Sequence, residues 1–230
     1  MCFNENKKKF LQYIKKKIWV LNKLLKYIYS FLGCILFDAY VSRSIIAIKE
    51  SFGKSNKSDE VTLFCLVKNG SFHIEGFLRH YRDLGVERMV FLDNCSDDET
   101  ISKLKGESGV NINFSNLPYK KFNINFKRVI IKRYCGKGWA LIVDIDEHFD
   151  FPYRRSSKIG ELLQCLLQQK SNAVVSHMLD VYPKNSEASA GPSWVNQHRF
   201  YNLSSVQSGK HQIKGARGTP YGCTIFPKFG

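Results

Sequence analysis

Two hydrophobic periods divide the chain. In the first 50 residues apolar side chains recur at Leu11, Ile14, Ile18, Leu21, Leu25, Ile28, Leu32 and Ile35, three and four apart, which makes a single stripe on an α-helix. A small, polar stretch over residues 51–60 then has the turn chemistry of a linker. From Val61 onward short apolar runs alternate with helical patterns. The runs predict strands over Val61–Val67, Arg88–Leu92, Val110–Phe114, Ala140–Ile145 and Ala173–His177. Between them the periodicity predicts helices over Phe72–Leu84, Glu99–Lys105, Phe126–Cys135 and Ile159–Gln168. That alternation predicts an α/β fold with a largely parallel sheet. The expected organisation is a basic amphipathic helical region at 1–50, a linker at 51–60 and a domain at 61–230.

Charge changes the picture of the first region. Lys7 to Lys26 holds eight lysines and no acid. A parallel coiled coil would set Lys8, Lys15 and Lys17 against their own copies. The longest uncharged run, Tyr27–Phe37, falls short of the roughly 20 apolar residues that a bilayer span needs. A basic amphipathic helix with Trp19, Tyr27, Tyr29 and Phe31 is suited to an anionic membrane surface; the other reading is a helix packed on the domain with its lysines in water. The net charge of +15 calls for an anionic partner. Nucleic acid is not expected, because the densest lysine cluster lies on the amphipathic stripe and no nucleic-acid-binding signature accompanies it.

At 230 residues and 43% hydrophobic content the chain can bury a good-sized core. Its seven cysteines, at 2, 34, 65, 95, 135, 165 and 223, are dispersed, without zinc-site spacing, and read as reduced thiols in a reducing compartment. The expected location is cytoplasmic, peripheral to the inner face of a membrane.

Candidate chemistry concentrates in Trp139–Phe149, where an apolar run ends in Asp144, Asp146 and Glu147. On a strand over Ala140–Ile145, Asp144 and Asp146 would share a face at its carboxyl end, where open α/β sheets bind ligands. Two hard oxygen ligands suit Mn²⁺ or Mg²⁺, which complete their shell with substrate phosphates and water. Two further loops follow predicted strands, Lys68-Asn69-Gly70 and Asp93-Asn94-Cys95-Ser96-Asp97-Asp98-Glu99-Thr100. Asp93 is a candidate for a ribose or base contact, while Asp97 and Asp98 read as caps of the next helix.

Taken together these segments resemble the glycosyltransferase family 2-like enzymes of the GT-A fold. The matching pieces are Lys68-Asn69-Gly70, the Glu75–Gly85 helix segment, the Asp93–Thr100 loop and Trp139–Phe149, followed by Asp180-Val181-Tyr182-Pro183 and Gly215-Ala216-Arg217, which are similar to segments of a bacterial branch. The resemblance implies transfer of a sugar from a nucleotide-diphosphate donor to the hydroxyl of a glycan or lipid-linked acceptor, as in cell-surface polysaccharide synthesis. It implies donor contacts from Lys68, Asn69, Asp93, Asn94, Asp144 and Arg217, and metal ligation by Asp144 and Asp146. Transfer with inversion also needs a base for the acceptor proton. Asp180 is the candidate, and Glu147 is the alternate or a support for the metal. His148 and His177 read as solvated or core histidines. Two departures stand out. Gly70 replaces the family's usual acid, and the pattern runs out at Lys228, where relatives continue into an acceptor-side segment. The expectation is therefore a C-terminally truncated copy that binds donor with Mn²⁺ but transfers slowly or not at all; an inactive nucleotide-sugar-binding module is the alternative.

Overall fold

The computed structural model describes residues 2–152, 154, 156–174, 176, 181–183 and 198–201. Helix α1 (Cys2–Ser44) leads into a short strand β1 (Ile46–Lys49). Then follow β2 (Val61–Val67), α2 (Ile74–Asp83), β3 (Arg88–Asp93), α3 (Thr100–Lys105), β4 (Val110–Phe114), α4 (Tyr119–Tyr134), β5 (Trp139–Ile142) and α5 (Ile159–Gln168). A separate two-stranded antiparallel ribbon pairs β6 (Val181–Pro183) with β7 (His198–Tyr201).

The main sheet has five strands in the order β1-β4-β3-β2-β5. Strands β2 to β5 are parallel, and β1 is an antiparallel edge on β4. Every residue of β2 is buried, as befits a strand covered on both faces. Alternate residues feed two cores. Leu63, Cys65 and Val67 pack with Phe77 and Tyr81 of α2, Leu104 of α3 and Leu163 of α5, whereas Phe64 and Leu66 pack with Phe126 and Ile130 of α4 and with Val41 from the end of α1. The result is a three-layer α/β/α domain with a mostly parallel, Rossmann-like sheet.

The order of strands marks the end of the sheet at which open α/β folds bind ligands. The chain steps outward from β2 through β3 to β4, and then returns across α4 to place β5 on the other side of β2. The strand order thus reverses between β2 and β5, and at such a reversal the ligand crevice lies outside the carboxyl ends; the loops leaving the two strands meet there on the α2 side. Helix α2 ends sharply at the opposite end of the sheet, just before β3 begins: Gly85, at φ +91°, lets the Gly85 and Val86 N–H groups turn back to the Arg82 and Tyr81 carbonyls, both at 2.9 Å, a glycine-terminated helix stop.

Several expected boundaries move. Helix α4 starts at Tyr119, seven residues before the predicted Phe126, because Pro118 supplies its N-cap and Phe122 extends the buried stripe. Residues 51–60, expected as a linker, are held against the start of β5: Ser55 is buried, its carbonyl accepts from the Lys137 N–H at 3.1 Å, and the Glu60 carbonyl accepts from the Trp139 N–H at 2.8 Å. Ala173 and Val174 are not in a strand, while Val175 and His177 of that expected strand lie outside the described residues.

Candidate functional site

Strand β5 stops at Ile142, not at Ile145, so Asp144 and Asp146 do not share a pleat. After a last sheet bond, Val143 N–H to the Phe64 carbonyl at 3.1 Å, the chain folds into a turn over Asp144–Glu147. The Glu147 N–H donates to the Asp144 carbonyl at 3.0 Å, and the Asp144 N–H donates to the Glu147 side-chain Oε2 at 2.9 Å. These reciprocal bonds close the turn on itself. Ile145 is tucked into the core beside α2, Asp144 is left half-exposed on the α4 side and Asp146 is exposed.

Glu147 is thus a brace of the turn, with one carboxylate oxygen committed to backbone. Burial raises its pKa, and the adjacent charges of Asp144 and Asp146 add to that shift. Burial pushes the pKa of the Cys65 thiol well up, and the charges of the same three acids add to the shift. Lys127 of α4 offsets them: its Nζ lies 3.9 Å from Asp144 Oδ1. Sequence reading missed Lys127, since nothing in its local pattern separates it from the other lysines of α4; only the crossover from β4 to β5 brings it to the turn.

Helix α2 grips the other end of the turn. The Tyr81 hydroxyl donates to the Glu147 carbonyl and accepts from the Phe149 N–H, each at 3.0 Å. His80 Nε2 lies 2.8 Å from the Phe149 carbonyl, which can only accept, so that nitrogen carries the proton. The His80 ring stacks on His148 at 4.3 Å. Burial lowers the pKa of both, that of His148 to about 4 with the neighbouring His80 as the next cause. His148 is a partly buried, stacked histidine and not a freely solvated one.

The loops after β2 and β3 are stapled together. The Asn69 N–H donates to Ser96 Oγ at 2.8 Å, and the Asp97 N–H donates to Asn69 Oδ1 at 3.0 Å. Gly70 N–H bonds Thr100 Oγ1 at 2.8 Å. Asp98 accepts from the Thr100 N–H at 2.9 Å, from the Thr100 hydroxyl and from the Ser71 N–H at 3.1 Å. Desolvation opposes ionisation of Asp98, but these hydrogen bonds outweigh it and hold the carboxyl well below the usual range. Asp98 therefore caps α3 and ties it to the β2 loop. Asn69 and Cys95 adopt left-handed backbone, φ +53° and +63°. That conformation is unusual for Cys, and such strain gathers at functional loops.

One close approach joins these loops to the turn. A Cβ on Gly70 would lie 2.6 Å from Val67 Cγ2 and 3.1 Å from Ile145 Cγ1, so the β2 loop rests directly on the residue between the two aspartates. Asp93, at the end of β3, is 1% exposed; its Oδ2 accepts from the Ser96 N–H at 3.1 Å, and its Oδ1 has no partner among the described residues. Lys68 is exposed at the crevice. Asn94 points away, with Nδ2 donating to the Ser115 and Leu117 carbonyls at 2.7 and 2.9 Å, so it anchors the approach to α4. Asp180 and Arg217 lie outside the described residues.

The donor set fits a hard divalent ion. Asp144 and Asp146 offer accessible carboxylate oxygens, and the only ion pair holding either among the described residues is the long one to Lys127. Among those residues no three His, Cys, Asp or Glu side chains form a metal cluster, so an ion here would need substrate oxygens to complete its shell. No family model matches the chain, and no characterised protein matches it significantly.

Proposed function

We propose that this protein is a GT-A-like glycosyltransferase that takes a sugar from a nucleotide-diphosphate donor and passes it to an acceptor hydroxyl. The observation that carries the reading is the position of the Asp144–Glu147 turn at the switch point between β2 and β5, packed on Gly70. A nucleotide in that crevice would run from the β2 and β3 loops toward the two aspartates. The unpartnered Oδ1 of Asp93 supports the nucleotide end, because a buried carboxylate oxygen without a donor is costly and a ribose hydroxyl or base N–H would satisfy it.

Asp144 and Asp146 would hold Mn²⁺ or Mg²⁺, which when bound neutralises charge developing on the leaving diphosphate. Lys127, already beside Asp144, is placed to donate to a phosphate oxygen. Glu147, Tyr81 and His80 hold the turn in shape, so its carboxylates need not reorganise as the donor binds. Asp180 as base and Arg217 as a second positive contact rest on the family resemblance. The carboxylate of Asp180 would take the acceptor proton as the new glycosidic bond forms and the bond to the diphosphate breaks.

The test is thermal denaturation of the full chain with uridine, guanosine, adenosine and thymidine diphosphate-sugars, with and without Mn²⁺. A ligand that binds only the folded state raises the midpoint by mass action. One nucleotide class should stabilise the protein when Mn²⁺ is present and much less without it. No stabilisation by any donor with the metal would overturn the proposal.

A further inference from the structure

Among the described residues, helix α1 meets the domain near its end. Phe37 and Tyr40 meet the Phe122 ring at 6.1 and 5.8 Å, Arg128 pairs with Asp38 at 2.7 Å, and Val41 is fully buried. Upstream, the described part of the apolar stripe lies open: Leu21, Leu25, Ile28, Leu32 and Ile35 are 41–56% exposed. Trp19, Phe31 and Leu36 are more exposed still. So much contiguous apolar surface marks an interaction site. Where α1 meets the start of α4, the surface continues into an open groove of about 570 Å³ lined by Leu36, Phe37, Tyr40, Leu117 and Phe122, with Lys121 at its edge. The groove abuts the crevice, since the Leu117 carbonyl accepts from Asn94 of the β3 loop.

We propose that α1 and this groove dock the protein on an anionic phospholipid bilayer, the groove taking the apolar part of a lipid beside the carboxyl end of the sheet. The occupant follows from charge. Lys16, Lys17 and Lys23 are exposed beside the stripe, within a run of eight lysines free of acids. Lys23 Nζ sits 5.2 Å from the centre of the Trp19 ring, a pairing of cation and amphipathic aromatic suited to the headgroup boundary. A second copy would bring like charges together. Among the described residues no helix is long and apolar enough to cross a membrane, so the contact lies on the surface. None of this depends on the glycosyl-transfer reading, which donor binding tests without lipid.

The experiment is flotation of the full chain with vesicles of phosphatidylcholine alone or with phosphatidylglycerol added, alongside light scattering of the lipid-free protein. Binding should require phosphatidylglycerol and weaken with salt. Lys16→Gln/Lys17→Gln/Lys23→Gln should reduce partitioning on the order of tenfold or more. Leu36→Glu, at a position 70% exposed and so tolerable to the fold, should reduce binding several-fold with circular dichroism unchanged. Equal binding to both vesicle types, undiminished binding by Leu36→Glu, or a lipid-free dimer that ignores vesicles would overturn the proposal.

Discussion

The buried hydroxyl of Tyr81 bonds the Glu147 carbonyl at 3.0 Å and so fastens α2 to the acidic turn three residues after Asp144. The same oxygen satisfies the Phe149 N–H. Tyr81→Phe strands both backbone groups, and the expected cost is about 1–3 kcal/mol. Urea denaturation should show that loss with far-ultraviolet circular dichroism intact, and Mn²⁺-dependent donor affinity should fall further than that of a surface control such as Lys132→Ala.

Under the proposed function, Lys127 and a divalent ion would compete for Asp144 in the absence of donor. Lys127→Met should tighten Mn²⁺ binding to the donor-free protein by a few-fold, since a partly exposed pair is worth at most about 1 kcal/mol. The same variant should weaken binding of a nucleoside diphosphate. Titration calorimetry separates the two effects, and an undiminished nucleoside diphosphate affinity would remove Lys127 from the phosphate site.

Gly70 fills a place too tight for a side chain. Gly70→Glu introduces the acid that the proposed glycosyltransferase reading would expect there, yet its Cβ would press on Val67 and Ile145. The expected outcome is a loss of about 1–3 kcal/mol with no gain in donor affinity. Adding Val67→Ala should recover part of the loss, a coupling that a double-mutant cycle measures.

The stacked pair His80–His148 predicts acid sensitivity. Both pKa values lie below 6.5 in the folded protein, so the unfolded chain binds more protons as pH falls through 6.5. Stability is then full above that pH and declines toward pH 4, by no more than about 2 kcal/mol once solvent screening of the partly exposed rings is allowed for. His80→Gln can still donate to the Phe149 carbonyl and removes one titration. Urea midpoints for this variant should fall less steeply between pH 7 and 5 than those of the wild type.

How much of this was legible depends on whether the signal is local. The buried strands Val61–Val67 and Val110–Phe114 and the helix Ile159–Gln168 have the expected bounds, because an apolar run, the alternation of Val110, Ile112 and Phe114, and a 3.6-residue stripe each announce their element locally. Strand β1 was hidden within the helical region, since a four-residue edge owes its existence to pairing with β4 far along the chain. The Asp144 and Asp146 motif was visible, but not its turn, because the turn is closed by Glu147 and held by Tyr81 from a separate helix. Lys127 and the Gly70–Ile145 contact come from the crossover alone. The amphipathic stripe in α1 was readable; that it stays uncovered up to Leu36 was not.

The most direct measurement is calorimetric titration of the Mn²⁺-loaded full chain with the nucleoside diphosphate selected by thermal shift, for wild type, Asp144→Ala and Asp146→Ala. Both carboxylates are accessible, so each variant should keep its fold at a cost within about 1 kcal/mol. The expected result is that Mn²⁺ strengthens nucleotide binding at least tenfold in the wild type, and that either substitution abolishes this enhancement. Metal-dependent affinity that survives in both variants, with wild-type circular dichroism, would contradict a donor site at the Asp144–Glu147 turn.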